Sequence, residues 1–583
     1  MKSITLNSAR ARLGLLVAGG AALVLAALTI PAAAAIGSAG SAGSGHAWYV
    51  SASAAAGGDG TQSSPFNSLA AVQQAAGPND TIIVLPSPAS TPPLDGGIAL
   101  KPGQHLIGAG PSVLAATSAD AAPRLTNSSG ASNSGDVVEL ANSTTVSNLV
   151  IDGSYRGGIY GDNVTGVTID GNNVSGANTS CTFGFLVLPF QAASDTVPAA
   201  GTPAVLNTGV QNGWGSIMID ANQGNEAVAI NSNYVHDGIC GDGIDVRLSG
   251  TAQASAQVSG NTVTQLPQGS AVHSVLAIGM QAADSSRLTA NVTSNSETYI
   301  GSANADCEGL FLNTNGSAVL NENVDHNFFD HGIGGHSCNG FEDIVSSGNS
   351  TINATVRDSV FEDNPGDMFQ ELNFGVGSSM SVLLADSRLS RTTIALGNSN
   401  TNNIGECLWT AETGVGDNLQ LTVANSSLSG CNNGVSALNN VVSPASQAGS
   451  VNRYAIDIDN SQIFGNAYDN IFVNNVDPIQ ALDHLSVDVQ NSELSDSAAP
   501  GVLFDQASPS STADPEIDLG GGPLHSAGQN NIVGNAGAVQ AENYTVYAEH
   551  DYWGTPAGPA PADLTLSGTG SVHYLPYLIF PAS

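Results

Sequence analysis

The sequence predicts an all-β protein wound as a parallel β-solenoid, and three observations carry that prediction. Short strands recur with one pattern: an aliphatic residue, two others, a polar anchor, one more residue, then an apolar residue. Copies run over 230–235, 258–263, 324–329, 356–361, 384–389, 423–428, 458–463 and 489–494, anchored by Asn233, Asn261, Asn327, Ser359, Ser387, Ser426, Ser461 and Ser492. A weaker copy at Asn295 fills the widest gap and an earlier one centres on Asn172, so consecutive anchors from Asn233 onward lie 28 to 39 residues apart. Second, most repeats carry a further strand introduced by an acidic or amide residue and glycine: Asp242-Gly243, Glu308-Gly309, Asn339-Gly340 and Asn433-Gly434, with Asp469-Asn470 as a variant. These read as tight bends between strands. Third, helical periodicity is nearly absent after residue 77, so repeats of about 30 residues stack as coils about 4.8 Å apart.

The elements follow in order. Lys2, Arg10 and Arg12 precede an apolar run over 13–30, then Pro31 and alanines at 32–35, the pattern of a secretory signal peptide (1–35). Its removal leaves 9 basic against 49 acidic residues in a chain whose charged fraction is only 10%. So few lysines and arginines exclude nucleic acid as a partner and leave no basic surface for anionic lipid; no stable membrane anchor and a secreted monomer are expected. A Gly/Ser/Ala-rich flexible leader (36–46) follows. Trp48, Tyr49 and Val50 begin order; Ser64 and Pro65 suit the start of a short helix carrying Phe66, Leu69 and Val72 on one face, stopped by Gly77 and Pro78. A β-branched strand follows at 81–85.

The run "WYV", "GGDG", "SPFNSLAAVQQAA", "DTIIVLP" and "GIALKPGQHLIG" over 48–108 resembles the amino-terminal module of secreted right-handed parallel β-helix proteins of the pectin-lyase-like superfamily. The resemblance implies a right-handed parallel β-helix with a short N-terminal capping helix: cap at 47–112, coils at 113–545 and a closing segment at 546–583. "EHDYWGTPAGP" and "VHYLPYLIFP" resemble the aromatic closing segment of such proteins, with Trp553 covering the open core; a sugar-stacking tryptophan is the other reading.

Stacking places polar residues in rows. Asp358, Asp386, Asn425, Asn460 and Asn491, just before their anchors, are expected to bond along a structural ladder, which accounts for Asn-x-Ser/Thr matches such as Asn173 and Asn425 without glycosylation. Six cysteines in an exported chain fit three disulfides; their places relative to the anchors predict Cys181 with Cys240, Cys307 with Cys338, and Cys407 with Cys431.

Pectin-lyase-like folds host several reactions on polysaccharides, and the fold selects none. A lyase needs a basic proton abstractor beside calcium ligands, and no such pattern surrounds the few arginines. "CGDGIDV" at 240–246 resembles part of the first polygalacturonase motif, and "GGHS" at 334–337 its histidine motif, but no paired-aspartate motif or Arg-Ile-Lys accompanies them. Ionisable groups concentrate on adjacent coils, where Asp330 and His331 align with Glu362 and Asp363. Stacked carboxylates about 5 Å apart repel, which raises one pKa and supplies an acid beside a base, or they bind calcium. The candidate catalytic residues are Asp330, Glu362, Asp363, His331, Asp242 and Asp245; the candidate substrate contacts are His336, Glu342 and Arg247; Asp363, Asp367 and Glu371 are the candidate calcium ligands. A solvated acidic face is the competing reading. The expected function is that of a secreted carbohydrate-active protein, a polysaccharide hydrolase using stacked carboxylates rather than a lyase or epimerase, acting on a neutral rather than an anionic extracellular glycan. The alternative is a non-catalytic glycan-binding, adhesive or structural solenoid.

Overall fold

A computed structural model describes residues 45–117, 120–187, 210–266, 275–301, 307–330, 332, 338–345, 348–392, 405–412, 414, 416–439, 452–475, 484–506 and 516–582. The signal peptide and most of the leader lie outside the described residues, as do His331 and His336. The chain winds through three parallel sheets, here called A, B and C in the order a coil visits them. Sheet A holds 17 strands from Ala47–Val50 to Ser571–His573, sheet B 13 from Arg124–Asn127 to Asn531–Val533, and sheet C 15 from Ile98–Ala99 to Leu564–Ser567. This is a parallel β-helix, consistent with the right-handed sense that twisted strands impose on parallel crossovers. Among the described residues no helix is long and apolar enough to cross a membrane.

Register is kept from coil to coil, so each core position becomes a column. In sheet A, Val258, Val292, Val324, Val356, Leu384, Val423 and Ile458 follow one another in register and are buried. Alternate residues of the same strands face outward, which gives sheet A its strict alternation of buried and more exposed positions.

The expected ladder forms in part, with Asn460 Nδ2 donating to Asn425 Oδ1 at 2.6 Å, and a buried ladder falls one residue later. Asp358, Asp386, Asn425, Asn460 and Asn491 all have φ between 48° and 55°, so they supply the left-handed turn that short polar side chains tolerate. The buried ladder is made by the anchors themselves. Asn172, Asn233, Asn261 and Asn295 each donate from Nδ2 to the Oδ1 of the next anchor, ending on Asn327, at 3.0 Å every time. From Ser359 to Ser492 serines take over, each accepting the preceding anchor's backbone N–H at 3.1 to 3.2 Å.

The glycines that introduce sheet C differ from expectation too. Gly243, Gly309 and Gly340 are absent from the left-handed region; a Cβ there would sit 2.3 to 2.7 Å from a carbonyl oxygen of the next coil. They permit close approach rather than a sharp bend.

The helix covers Leu69–Ala75, capped by Ser68, whose side chain accepts from Ala71 N at 3.3 Å. Leu69 and Val72 are buried in the main core, whereas Phe66 bridges to Val50 and stacks on Trp48, so it belongs to strand packing rather than to the helix face. At the other end Trp553 is buried in the same core, edge-on to Tyr574. Disulfides join Cys181 to Cys240, Cys307 to Cys338 and Cys407 to Cys431.

Candidate active site on the outer face of sheet C

Sheet C differs from sheet A because both of its faces are buried through the middle coils. Its inward column runs Ile244, Ile278, Leu310, Phe341, Phe369, Leu408 and Val435. One residue further along each strand, and therefore outward, stand Asp245, Gly279, Phe311, Glu342, Gln370, Trp409 and Ser436. Phe311 and Trp409 belong to a second apolar cluster with Trp214, Met218, Leu276, Leu372 and Leu438, separate from the solenoid core. An outward face that is buried, part aromatic and part polar has the character of a ligand cleft rather than a solvated wall.

Most carboxylates along the entrance to these strands hold the coils together. Glu308 accepts from Asn339 N at 3.3 Å, Asn339 from Asp367 N at 2.8 Å, Asp367 from Glu406 N at 2.7 Å, and Asn433 from Asp469 N at 2.9 Å. Glu406 accepts from both the backbone N–H and the side-chain amide of Asn433. Burial pushes Glu406 up to about 8 against those bonds and the nearby Arg391, and burial alone takes Asp469 up to about 7. Glu308, Asn339 and Asn433 of this second ladder are residues that the sequence marks as acid or amide before glycine.

Asp242 and Asp245 stand apart from that pattern. Asp242 Oδ1 accepts from Leu276 N at 2.8 Å, but its Oδ2 and both oxygens of Asp245 find no partner among the described residues beyond each other. Both side chains are fully buried and close enough for one carboxyl group, once protonated, to hydrogen-bond the other. Burial raises both well above the carboxylate range. For Asp242 the Asp245 charge raises it further, whereas for Asp245 the Arg247 guanidinium pulls the other way. The pair is thus biased toward a neutral Asp242 beside an ionised Asp245. Gly215 keeps the space open, since a Cβ there would lie 2.8 Å from Asp245 Oδ2. Trp214 precedes it, with the Arg156 guanidinium 4.2 Å from its ring centroid. The indole N–H groups of Trp214 and Trp409 are buried and find no partner among the described residues.

The structure distributes the other sequence-predicted residues over several places. Arg247 faces outward two residues after Asp245 and is held in an ion pair by Asp220, with Nε 3.2 Å from Oδ1. Glu342 lies on the same outer face as Asp245, near the Asn339 amide at 3.4 Å. Asp330 and Glu362 are register neighbours on sheet B, where Glu362 pairs with Arg388 at 2.8 Å. Asp363, at φ 54°, accepts from the backbone and hydroxyl of Thr392, so it caps a turn. Asp363, Asp367 and Glu371 do not converge: the first caps that turn, the second sits in the ladder, and the third is in register with Asp343 and Thr410, in a column that continues Leu312 of the core. Among the described residues, donor atoms close enough to share an ion occur at Asp325, His326 and Asp358, a surface group whose Asp325 already bonds His326 at 2.9 Å.

Sequence reasoning missed Trp214, Trp409 and the polar row of Glu308, Asn339, Gln370 and Glu406. The acid-or-amide-glycine signal marked part of that row but was read only as a bend.

No protein-family model matches the chain, and no curated protein does. Among solved structures it is similar to DFA-IIIase from Arthrobacter chlorophenolicus A6 in complex with GF2, with 13% identity and a TM-score of 0.29 over 60% of this chain and 84% of that one. It is also similar to a point mutant of the periplasmic alginate epimerase AlgG, with 8% identity and a TM-score of 0.28 over 85% and 77% of the two chains. A third is GH136 lacto-N-biosidase from Eubacterium ramulus, with 9% identity and a TM-score of 0.24 over 91% and 68%.

Proposed function

We propose that this protein is a secreted carbohydrate-active enzyme that hydrolyses an extracellular polysaccharide on the outer face of sheet C. The observation that carries the reading is the Asp242–Asp245 pair, wholly buried, with three of its four oxygens finding no partner among the described residues beyond each other. Glycoside hydrolysis requires one carboxylic acid to protonate the leaving oxygen and one carboxylate to attack the anomeric carbon or activate water. Asp242 takes the first role, because burial and its neighbour keep it neutral. Asp245 takes the second, because Arg247 favours its ionised form. Trp214 and Trp409 offer aromatic faces for sugar rings and indole N–H donors for hydroxyls. Glu342 and Gln370 extend the polar floor, and so many carboxyl groups favour a neutral glycan over a uronate at this face.

The test is product analysis after incubating the mature protein with neutral and acidic polysaccharides, with and without calcium. New reducing ends without unsaturated sugars, lost in Asp242→Asn and Asp245→Asn, support hydrolysis. Unsaturated ends would make the enzyme a lyase.

A second reading, a non-catalytic glycan-binding solenoid, draws on the ladder: Glu308, Asp367 and Glu406 spend oxygens on backbone N–H groups, as structural residues do. Retention on one glycan without any product would favour it.

A further inference from the structure

The outer face of sheet A over the last coils carries a groove of about 740 Å³, in the range of ligand pockets, lined by Asn418, Gln420, Arg453, His484, Ser486 and Glu516 among others. Arg453 and His484 are register neighbours, so their side chains leave adjacent coils side by side. Both are exposed, and neither has an ion pair or hydrogen bond among the described residues. That is unusual in this chain. Arg156, Arg247, Arg357 and Arg388 each pair with a carboxylate, and Arg124 and Arg391 donate to carbonyl oxygens; only Arg287 and Arg453 among the described arginines are left unpaired. With 49 acidic residues in the sequence, a guanidinium and an imidazole left free side by side in a groove form a local anion site.

Along the strands the groove changes character. Gln420, Ala455, Ser486 and Glu516 form its middle in register, and two residues further on, beyond the lining, Asp457 and Asp488 stack. From Arg453 to Asp457 is four residues, about 13 Å along an extended strand, beyond the distance over which solution screens one charge from another. A ligand spanning this face therefore meets the Arg453 guanidinium and the His484 imidazole at one end, then the Gln420 amide and the Ser486 hydroxyl beside the Glu516 carboxylate. Tyr454 and Leu485 of the lining turn their side chains into the core, which leaves Ala455 and Leu524 as the apolar groups beside the outward polar row.

We propose that this groove is a second carbohydrate-binding site, separate from the sheet C cleft, that takes a uronate-bearing oligosaccharide. The uronate carboxylate lies against Arg453 and His484, and hydroxyls of the chain bond Gln420 and Ser486. Carboxylate recognition here is compatible with a largely neutral polymer at sheet C, where an occasional uronate would serve as the point of capture.

The experiment is calorimetric titration of the mature protein with oligo-uronates, their carboxyl-reduced neutral counterparts and polyglutamate. Binding of the oligo-uronates, at least tenfold tighter than the reduced counterparts and polyglutamate and weakening with salt, is expected. Arg453→Ala with His484→Ala should lose at least tenfold in affinity with an unchanged melting temperature, and Arg453→Lys should retain part of it. Asp242→Asn should bind like the wild type, which separates this site from the proposed catalytic one. No binding, equal binding of the reduced sugars or of polyglutamate, or wild-type binding by the double variant would each overturn the proposal.

Discussion

Glu342 and Asp343 are consecutive residues of one strand, and they face opposite sides of the solenoid wall. Glu342 points to the outer face of sheet C, in register with Phe311 and Gln370; Asp343 points into the core, in register with Leu312 and Glu371. Glu322 reaches the same interior from sheet A, between Ala290 and Ala354. All six oxygens of Glu322, Asp343 and Glu371 lack a hydrogen-bond partner among the described residues; the Thr410 hydroxyl lies near Glu371, outside hydrogen-bond geometry. Burial raises all three carboxyl groups, as it raises Asp242 and Asp245. The same physical cause thus acts on both sides of one sheet. What differs is the face: Asp245 stands on the outer side of the sheet, where the proposed reaction is placed, whereas the inner three lie among the core side chains. On that proposal the outer pair serves chemistry, and the inner set bears on stability.

The largest expected effect breaks the outer set. Asp242→Asn and Asp245→Asn should each lower the rate of reducing-end release by about 10²–10⁴-fold, the usual contribution of a positioned acid or base. Asp343→Asn, one wall away, should leave that rate within a few-fold. Equal losses in all three variants would mean that the outer face is not special.

The next effect belongs to the inner set and appears as a pH dependence of stability. A group whose folded pKa is raised binds a proton that the unfolded chain has already released, so stability falls as pH rises. For Glu322, Asp343 and Glu371 the loss begins at the ordinary carboxyl values of 3.8 to 4.5 and continues up to their raised folded values. The melting temperature should therefore be higher at pH 5 than at pH 8.5. Glu322→Gln with Asp343→Asn and Glu371→Gln should flatten that slope, and replacing Glu371 by Leu should stabilise by about 1–4 kcal/mol near neutrality, as when buried charges are exchanged for apolar groups. A melting curve that rises with pH in the wild type would contradict the assignment of neutral interior acids.

How much of this was legible in the residues follows from the period of a strand. Sheet A strands such as Asn418–Ala424 alternate strictly, so their core face and the anchor repeat could be read directly. The pairing of the cysteines followed from their place on neighbouring coils. Sheet C strands such as Cys307–Thr314 are buried at every position, so alternation gives no sign of which residue faces the cleft. Asp242 and Asp245 were visible as a motif fragment. The inward direction of Glu371, grouped by sequence with outward candidates, depended on a register that only the stacked coils define. Trp214 lies directly after the ribbon strand Val210–Gly213, outside the repeat, and carried no periodic signal.

The smallest effect lies within the outer pair itself. Asp242 accepts the Leu276 N–H and belongs in part to the coil-to-coil ladder, whereas Asp245 is bonded among the described residues to Asp242 and to no backbone N–H. Asp242→Ala should leave that buried N–H unsatisfied at a cost of about 1–3 kcal/mol, partly offset by removal of a buried carboxyl group. Asp245→Ala loses only the bond shared with Asp242 and removes a buried carboxyl group, so its stability should match or exceed that of the wild type. Denaturant titration of the two variants tests this difference directly. A residue that improves the fold when deleted, while the reaction stops, is one that the fold carries for its chemistry; a larger stability loss in Asp245→Ala than in Asp242→Ala would instead place both aspartates in the ladder.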